Sequence, residues 1–217
     1  MGKKSHDDWE VKVSDVTYSL RGESPMSGVA SMIINVDEKG KYYQISDLHN
    51  KAKQGMNELV TVIGKPFRQI RRLSNLVRGL ADLNVIIETS GRMVDMSADR
   101  SVLIPIVNQS VLVISPDLST MKDEDYEWMR GFRFNSVYFK FEWVKNERQT
   151  KWLIQSFLNL INRPPEDLIK QRRIIVMPSD VCNSKECRDV WAFCLTYRFR
   201  YSGREFNRLF ERRRNKK

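Results

Sequence analysis

Residues 58–91 read ELVTVIGKPFRQIRRLSNLVRGLADLNVIIETSG, and the rest of the chain can be organised around them. The stretch begins with an apolar, β-branched run over residues 58–63, which predicts a buried strand that ends at Gly64. Residues 67–81 follow with apolar side chains at three- and four-residue steps, the spacing of one helical face. A second apolar run over residues 84–88 predicts another strand. A strand, a helix and a strand in this order predict a right-handed βαβ unit with parallel strands.

The same alternation of short apolar strands and amphipathic helices continues on both sides of this unit. The other predicted strands cover residues 11–18, 29–36, 102–106, 109–115, 136–144 and 173–177, and the other predicted helices cover residues 46–54, 122–129, 147–162 and 184–197. Ser46 is the predicted N-cap of the first of these helices. This order predicts an α/β fold, a largely parallel sheet covered by helices. We expect a single domain over residues 11–203, a flexible leader over residues 1–10 and a basic tail over residues 204–217.

The composition is that of a folded soluble protein, since 41% of the 217 residues are hydrophobic. No apolar run reaches the length of a membrane span, and the N-terminus lacks the apolar segment of a secretory signal. We therefore expect a cytoplasmic protein with no membrane partner. The three cysteines are Cys182, Cys187 and Cys194, and their number and spacing fit neither a disulfide framework nor the usual zinc pairs. We expect structural thiols and no metal site.

The net charge of +10 is unevenly distributed, because residues 198–217 contain nine basic and two acidic residues and so supply +7 of it. A second basic group lies on the predicted helix that follows Gly64, where the simpler interpretation is a solvated face. Basic side chains with interleaved aromatic rings suit nucleic-acid phosphates and bases, and they equally suit an acidic protein surface. The candidate residues for binding nucleic acid or a partner are Arg68, Arg71, Arg72, Arg78, Arg198, Arg200, Arg204, Arg208, Arg212, Arg213 and Arg214.

Six segments, spread in order over most of the chain, carry a family resemblance. They are residues 18–25 with Gly28, residues 62–69, residues 87–91, residues 114–118, residues 174–178 and residues 199–202. Together they resemble the 7-carboxy-7-deazaguanine synthases, which are small radical S-adenosylmethionine enzymes. The resemblance implies a compact partial (β/α) barrel with mostly parallel strands, of the radical S-adenosylmethionine type. It also implies a ligand pocket, here vestigial, at Arg21, Gly22, Glu23, Gly64, Lys65, Glu88, Ser90, Ser115 and Asp117.

The chain departs from this family at the positions that carry its chemistry. Residues 35–43, where the family has three clustered cysteines, contain none, and an iron–sulfur cluster needs thiolate ligands. Lys65 replaces a glutamate at the strand end that holds the methionine part of S-adenosylmethionine, where a lysine would repel the ammonium group. Asp117 replaces a lysine, and Arg21 replaces a glutamine. Without a cluster there is no electron source for cleaving a sulfonium, so we expect no iron–sulfur cluster, no cofactor and no radical catalysis.

The sequence contains no other evident catalytic set. Glu23 and Glu88 could meet at the strand ends, but a structural role for Glu88 is the simpler interpretation. Ser90 and Ser115 lie in no nucleophile-elbow pattern and lack a histidine to activate them. We therefore predict a non-catalytic pseudoenzyme that binds nucleic acid or nucleic-acid machinery, in a regulatory role, through the basic helix and the tail. The alternatives are a subunit or inhibitor that docks on an acidic protein, and a protein that binds a purine-like base or S-adenosylmethionine without turnover.

Overall fold

The computed structural model describes residues 9–20, 29–55, 57–92, 100–131, 137–144, 146–170, 173–179 and 183–201. These residues contain nine β-strands and seven α-helices, and they fall into two compact units. Residues 9–19, 30–113 and 137 form the first unit, and the other described residues form the second. Among the helices of the described part of the chain, none combines the length and the apolar character needed to cross a lipid bilayer.

The first unit is a sheet with three α-helices. Its strands are β1 (Glu10–Leu20, apart from its last residue), β2 (Ala30–Val36), β3 (Lys41–Gln44), β4 (Leu59–Gly64), β5 (Asn84–Thr89) and β6 (Ser110–Ile114, apart from its last residue). Its helices are α1 (Ile45–Gln54), α2 (Ile70–Gly79) and α3 (Arg100–Gln109). A 3-10 helix over Pro66–Gln69 precedes α2. The strand order is β3-β1-β2-β4-β5-β6. β3 runs antiparallel to β1, whereas β4 runs parallel to both β2 and β5, with Val62 opposite Ile34 and Ile87.

The centre of this unit is the predicted βαβ unit, which the structure confirms. The first four residues of β4 are all buried, as expected of a parallel strand that is covered on both faces. The one hydroxyl among them, on Thr61, shares a 2.9 Å hydrogen bond with the Ser31 hydroxyl, so it is not left unsatisfied. Leu73 and Leu76 of α2 are 0% exposed, because their three-residue spacing places them on the same buried helix face.

The second unit contains three parallel strands and four helices. Its strands are β7 (Val137–Glu142, apart from its first residue), β8 (Ile174–Met177) and β9 (Arg200–Tyr201), and its helices are α4 (Asp123–Gly131), α5 (Glu147–Leu160), α6 (Pro165–Lys170) and α7 (Ser184–Tyr197). β8 pairs with both β7 and β9. Phe157 of α5 is 0% exposed and makes edge contacts with Phe139 and Phe141 of β7, at centroid distances of 5.3 and 5.6 Å. This aromatic cluster anchors α5 to the strands.

The predicted α/β fold with mostly parallel strands is confirmed, and two local predictions are wrong. Residues 102–106 lie in α3 and form no strand, because Leu103 and Ile106 are buried while Ile104 is 55% exposed, which is helical periodicity. Ser46 is not an N-cap, since α1 begins at Ile45 after Gln44 and has no side-chain cap. The sequence prediction also lacked β3, α6 and β9. The predicted domain boundaries stay a prediction, because residues 1–8 and 202–217 lie outside the described residues.

Candidate functional site

A small cleft lies at the carboxyl ends of β4 and β5 in the first unit. Its volume is about 90 Å³, and its lining consists of Gly64, Lys65, Phe67, Arg68, Thr89, Ser90 and Arg92. Ligands of open α/β sheets bind at the carboxyl ends of the strands, so the cleft occupies the ordinary position of a binding site. It contains three of the predicted pocket residues, namely Gly64, Lys65 and Ser90.

The conformation of Gly64 shapes the β4 side of the cleft. Its φ of 91° lies in the region that side chains rarely adopt, and an added Cβ would collide with the Asn35 side chain and the Val36 carbonyl oxygen. The next backbone N–H, of Lys65, donates to the same carbonyl oxygen at 2.9 Å. The backbone of Lys65 is therefore held against the end of β2.

The 3-10 helix after β4 presents two cations to solvent. Pro66 and Phe67 are buried and anchor this turn, and Phe67 is only 2% exposed. Lys65 and Arg68 remain exposed on either side of them. The Arg68 guanidinium donates to a carboxylate oxygen of Glu38 at 2.8 Å, so its charge is partly compensated. Because the two side chains are 39% and 52% exposed, solvent screens this ion pair.

The β5 side of the cleft supplies two hydroxyl groups and a third cation. The Gly91 N–H donates to Thr89 Oγ1 at 3.2 Å, and Gly91 has a φ of 83°. Within the described residues the hydroxyl protons of Thr89 and Ser90 have no acceptor. Glu88 is half-buried and does not line the cleft.

Several exposed cations of the first unit, in the cleft and along α2, are unpaired among the described residues. Lys65 and Arg92, and also Arg71 and Arg78 of α2, have no carboxylate partner in the part of the chain that the structure describes. Arg71 and Arg78 are both exposed, and their spacing of seven residues places them on one face of α2. We call Lys65, Arg68, Arg71, Arg78 and Arg92 the basic surface.

Arg72 differs from the other predicted cations of this helix. Its guanidinium lies 4.8 Å from the centroid of the Tyr42 ring, and the Lys12 ammonium lies 5.0 Å from the same centroid. Arg72 is half-buried, and its Nη1 atom has no hydrogen-bond partner among the described residues. These contacts connect α2 to β3 and β1, so Arg72 has a packing role.

The other described candidates belong to the second unit. Asp117 follows β6, and its carboxylate accepts bonds from the Ser119 N–H at 3.1 Å and the Thr120 hydroxyl at 2.8 Å, which closes a turn. Ser115 is half-buried. Arg198 is exposed and ends α7 with a φ of 57°, and the Arg200 guanidinium lies 5.1 Å from the Tyr138 centroid. The candidates Arg21, Gly22, Glu23, Arg204, Arg208, Arg212, Arg213 and Arg214 lie outside the described residues and stay predictions.

The described residues do not fit the iron–sulfur cluster that the family resemblance implies. Residues 37–40 form a tight turn in which the Gly40 N–H donates to the Asp37 carbonyl oxygen at 3.0 Å, and the chain then enters β3. This segment has no thiol. Cys187 and Cys194 of α7 are not joined in disulfide bonds, and burial raises the pKa of Cys194 to about 12, which disfavours the thiolate that a metal requires.

Sequence reasoning missed three features of the cleft. Thr89 lies in residues 87–91, one of the segments that carry the family resemblance, and Arg92 directly follows this segment. Both residues could therefore have been predicted from their position at the end of a strand. The bond from Arg68 to Glu38 joins residues 30 positions apart, and nothing in the local sequence indicates it.

Comparisons with known proteins identify a solved structure with a similar fold. No protein-family model matches the sequence, and a search of curated proteins gave no match. The crystal structure of QueE from Escherichia coli is similar, with a TM-score of 0.65, 14% identity, and coverage of 94% of this chain and 99% of that chain. At this identity the similarity shows the fold alone. The chain therefore has a QueE-like fold, as the sequence resemblance predicted.

Proposed function

We propose that the protein is a non-catalytic binding protein on a QueE-like scaffold, and that it holds nucleic acid, free or within a nucleic-acid complex, through the basic surface and the Arg-rich tail. The observation that carries this proposal is the set of exposed cations, Lys65, Arg71, Arg78 and Arg92, with no carboxylate partner among the described residues. Unpaired cations grouped on one unit create a positive potential that attracts polyanions.

The geometry of α2 matches a chain of phosphates. Arg71 and Arg78 are seven residues apart, which corresponds to roughly 10 Å along a helix axis. The successive phosphates of one strand rise by ~3.4 Å along the duplex axis, so ~10 Å spans about three steps and the two guanidinium groups can contact separate phosphates. Arginine suits this role because its planar fork donates two hydrogen bonds to one phosphate.

The absence of catalysis is part of the proposal. The residues between β2 and α1 offer no thiolate, and Lys65 lies where the family resemblance implies a glutamate. Radical cleavage of a sulfonium requires an electron that only the cofactor supplies. A lysine at the strand end would also repel the ammonium group of S-adenosylmethionine. We therefore expect no 5′-deoxyadenosine from the full-length protein incubated with S-adenosylmethionine and a reductant.

The salt dependence of nucleic-acid binding tests the proposal. Fluorescence anisotropy would measure the affinity of the full chain for a single-stranded oligonucleotide between ~50 and ~200 mM salt, over which phosphate contacts weaken strongly. The Arg71→Gln/Arg78→Gln variant is expected to reduce the slope of log affinity against log salt by about 1.4, since each lost phosphate contact contributes ~0.7. An Arg212→Gln/Arg213→Gln/Arg214→Gln variant is expected to reduce this slope by a larger amount than the double variant does.

The matched control is Arg148→Gln/Arg188→Gln, which removes the same charge from two exposed arginines of the second unit. We expect this control to keep the slope of the unsubstituted protein. Equal slopes for the two double variants would mean that net charge alone governs binding. That result, or an absence of binding at low salt, would contradict the proposal.

A second candidate function, docking on a protein partner, is favoured by one observation. Trp191 and Leu195 lie one turn apart on α7 and are 53% and 60% exposed, and Trp152 of α5 is 65% exposed. Tryptophan is enriched among the residues that dominate protein contacts, and adjacent exposed apolar side chains mark interaction surfaces. A stoichiometric partner that survives nuclease treatment, and that Trp191→Ser/Leu195→Ser releases while Arg71→Gln/Arg78→Gln does not, would favour this alternative.

Binding of a purine-like base or of S-adenosylmethionine has less support. The cleft volume of about 90 Å³ is far below the ~300 Å³ of the smallest usual ligand sites. Calorimetric titration with each compound would decide between this alternative and a cleft for a smaller group.

A further inference from the structure

We propose that the cleft at the carboxyl ends of β4 and β5 binds one phosphate monoester, such as the phosphate of a free nucleotide or the terminal phosphate of a nucleic-acid strand. This assignment rests on the proposed function, and it adds a chemical group and a place within the basic surface. Four properties of the cleft carry it: its volume, its charge, its hydrogen-bond donors and its backbone conformation.

The volume selects a small group. A volume of about 90 Å³ is well below the ~300 Å³ of the smallest usual ligand sites. A group as small as a phosphate suits a cleft of this size better than a whole nucleotide does. The remainder of a nucleotide or strand would therefore lie outside the cleft, where the exposed Lys65 and Arg68 border it.

The charge of the cleft matches a monoester better than a diester. Lys65, Arg68 and Arg92 contribute three positive charges, and Glu38 on Arg68 compensates one, so two remain. A phosphate monoester carries about −1.5 to −2 at neutral pH, because its second pKa is ~6. An internal phosphodiester carries a single charge. The end of a strand, or a free nucleotide, therefore complements the cleft more completely than an internal phosphate does.

The polar groups of the cleft are donors. The Thr89 oxygen accepts the Gly91 N–H, which leaves its own proton to donate, and the Ser90 hydroxyl has no partner among the described residues. Lysine and arginine side chains donate and never accept. Among the described residues no carboxylate lines the cleft, and the Glu38 carboxylate pairs with Arg68. A lining of donors favours an oxyanion, which accepts hydrogen bonds at every oxygen.

The backbone around the cleft is already in place. Gly64 and Gly91 hold positive φ angles of 91° and 83°, and the buried Pro66 and Phe67 fix the turn between Lys65 and Arg68. The anion would therefore find its ligands without a large loss of chain entropy, which favours binding by a small group.

Calorimetry with the full chain and four probes tests this assignment. The probes are inorganic phosphate, adenosine 5′-monophosphate, and one single-stranded oligonucleotide with and without a 5′-phosphate. We expect the 5′-phosphate to increase strand affinity about tenfold or more, the usual range for charge-assisted hydrogen bonds. Arg92→Gln and Ser90→Ala should remove or weaken this preference, whereas Arg78→Gln should keep it. The preference should also decline as the pH falls through ~6, because the monoester then loses a charge.

The outcomes separate the two sources and the two proposals. A preference for the phosphorylated strand identifies the strand end, and binding of the monophosphate alone, sensitive to Arg92→Gln, identifies a free nucleotide. If both strands bind equally and neither small phosphate binds, the assignment of the cleft is overturned. In that case a salt slope that still responds to Arg71→Gln/Arg78→Gln would leave the proposed function standing.

Discussion

Among the described residues, the charged side chains are paired at one end of the β4–β5 strand pair and unpaired at the other. At the amino end, Asp82 lies 2.7 Å from the Lys53 ammonium and 2.9 Å from the His49 ring, so the charges satisfy one another. At the carboxyl end, Lys65 and Arg92 have no carboxylate partner among the described residues. Both ends border a cleft in the same unit. The pairing of the charges, and not the number of charged residues, therefore distinguishes the amino end, where the charges have a structural role, from the carboxyl end, which is the candidate binding site.

The amino end shows what pairing does to a titrating group. Hydrogen bonds from Lys53 and then from His49 lower the pKa of Asp82 to about 2 from 3.8. The same carboxylate could not attract a cationic ligand, because its charge is already compensated. The carboxyl end keeps its cations available, and at a solvated surface this arrangement has little energetic cost.

The largest expected effect comes from reversing one charge at each end. Lys65→Glu should reduce the affinity for adenosine 5′-monophosphate about a hundredfold, because it removes a charge-assisted hydrogen bond of ~1.5–3 kcal/mol and adds repulsion. Lys53→Glu makes the same change of charge at the amino end and should leave this affinity unchanged. Calorimetry on both variants measures the contrast. An equal loss in the two variants would show that the ends do not differ.

A backbone change should have the next largest effect. Gly64→Ala should reduce the free energy of unfolding by about 1–3 kcal/mol, since the φ of 91° is strained for alanine and its Cβ would collide with Asn35 and the Val36 carbonyl. Lys65→Ala at the next, exposed position should change it by less than ~0.5 kcal/mol. Urea unfolding measures both. A Gly64→Ala variant as stable as the unsubstituted protein would show that this strand end does not require glycine.

The smallest expected effect is the pH dependence of stability at the amino end. Because folding lowers the pKa of Asp82 to about 2, the carboxylate stabilises the fold above pH ~3.8, and this contribution is lost as the pH falls towards 2. Asp82→Asn should therefore reduce the urea midpoint slightly near neutral pH, and the difference should vanish near pH 2.

The cause of this lowered pKa can be tested by carboxyl NMR. Lys53→Met should raise the pKa of Asp82 more than His49→Gln does, whereas equal pKa values in all three proteins would contradict the assigned cause.

Much of the fold could be predicted from the sequence, but only half of the cleft could. Residues 58–91 were readable because a strand buried on both faces and a helix buried on one have distinct hydrophobic patterns. The helix over residues 102–106 was not predicted because a short β-branched run favours a strand locally and Pro105 disfavours a helix interior, and only the burial of Leu103 and Ile106 reveals the helix. β3 has four residues, too few for a clear period.

The features of the site likewise divide into those that the sequence predicts and those that it does not. Gly64, Lys65 and Ser90 were predicted because they lie at strand ends that resemble a known family. The Glu38–Arg68 bond and the Asp82 network join residues about 30 positions apart, so they exist only once the strands and helices have packed. Whether a cation is paired therefore cannot be read from the residues beside it.

The slope of log affinity against log salt, for the full chain and a 5′-phosphorylated single-stranded oligonucleotide, tests the central claim most directly. If Lys65, Arg71, Arg78 and Arg92 each contact a phosphate, the slope is about −2.8 or steeper, at ~0.7 for each contact. The claim also requires Lys65→Gln to make the slope shallower and Lys53→Gln to leave it unchanged. A slope near zero, or one that responds equally to both substitutions, would contradict it.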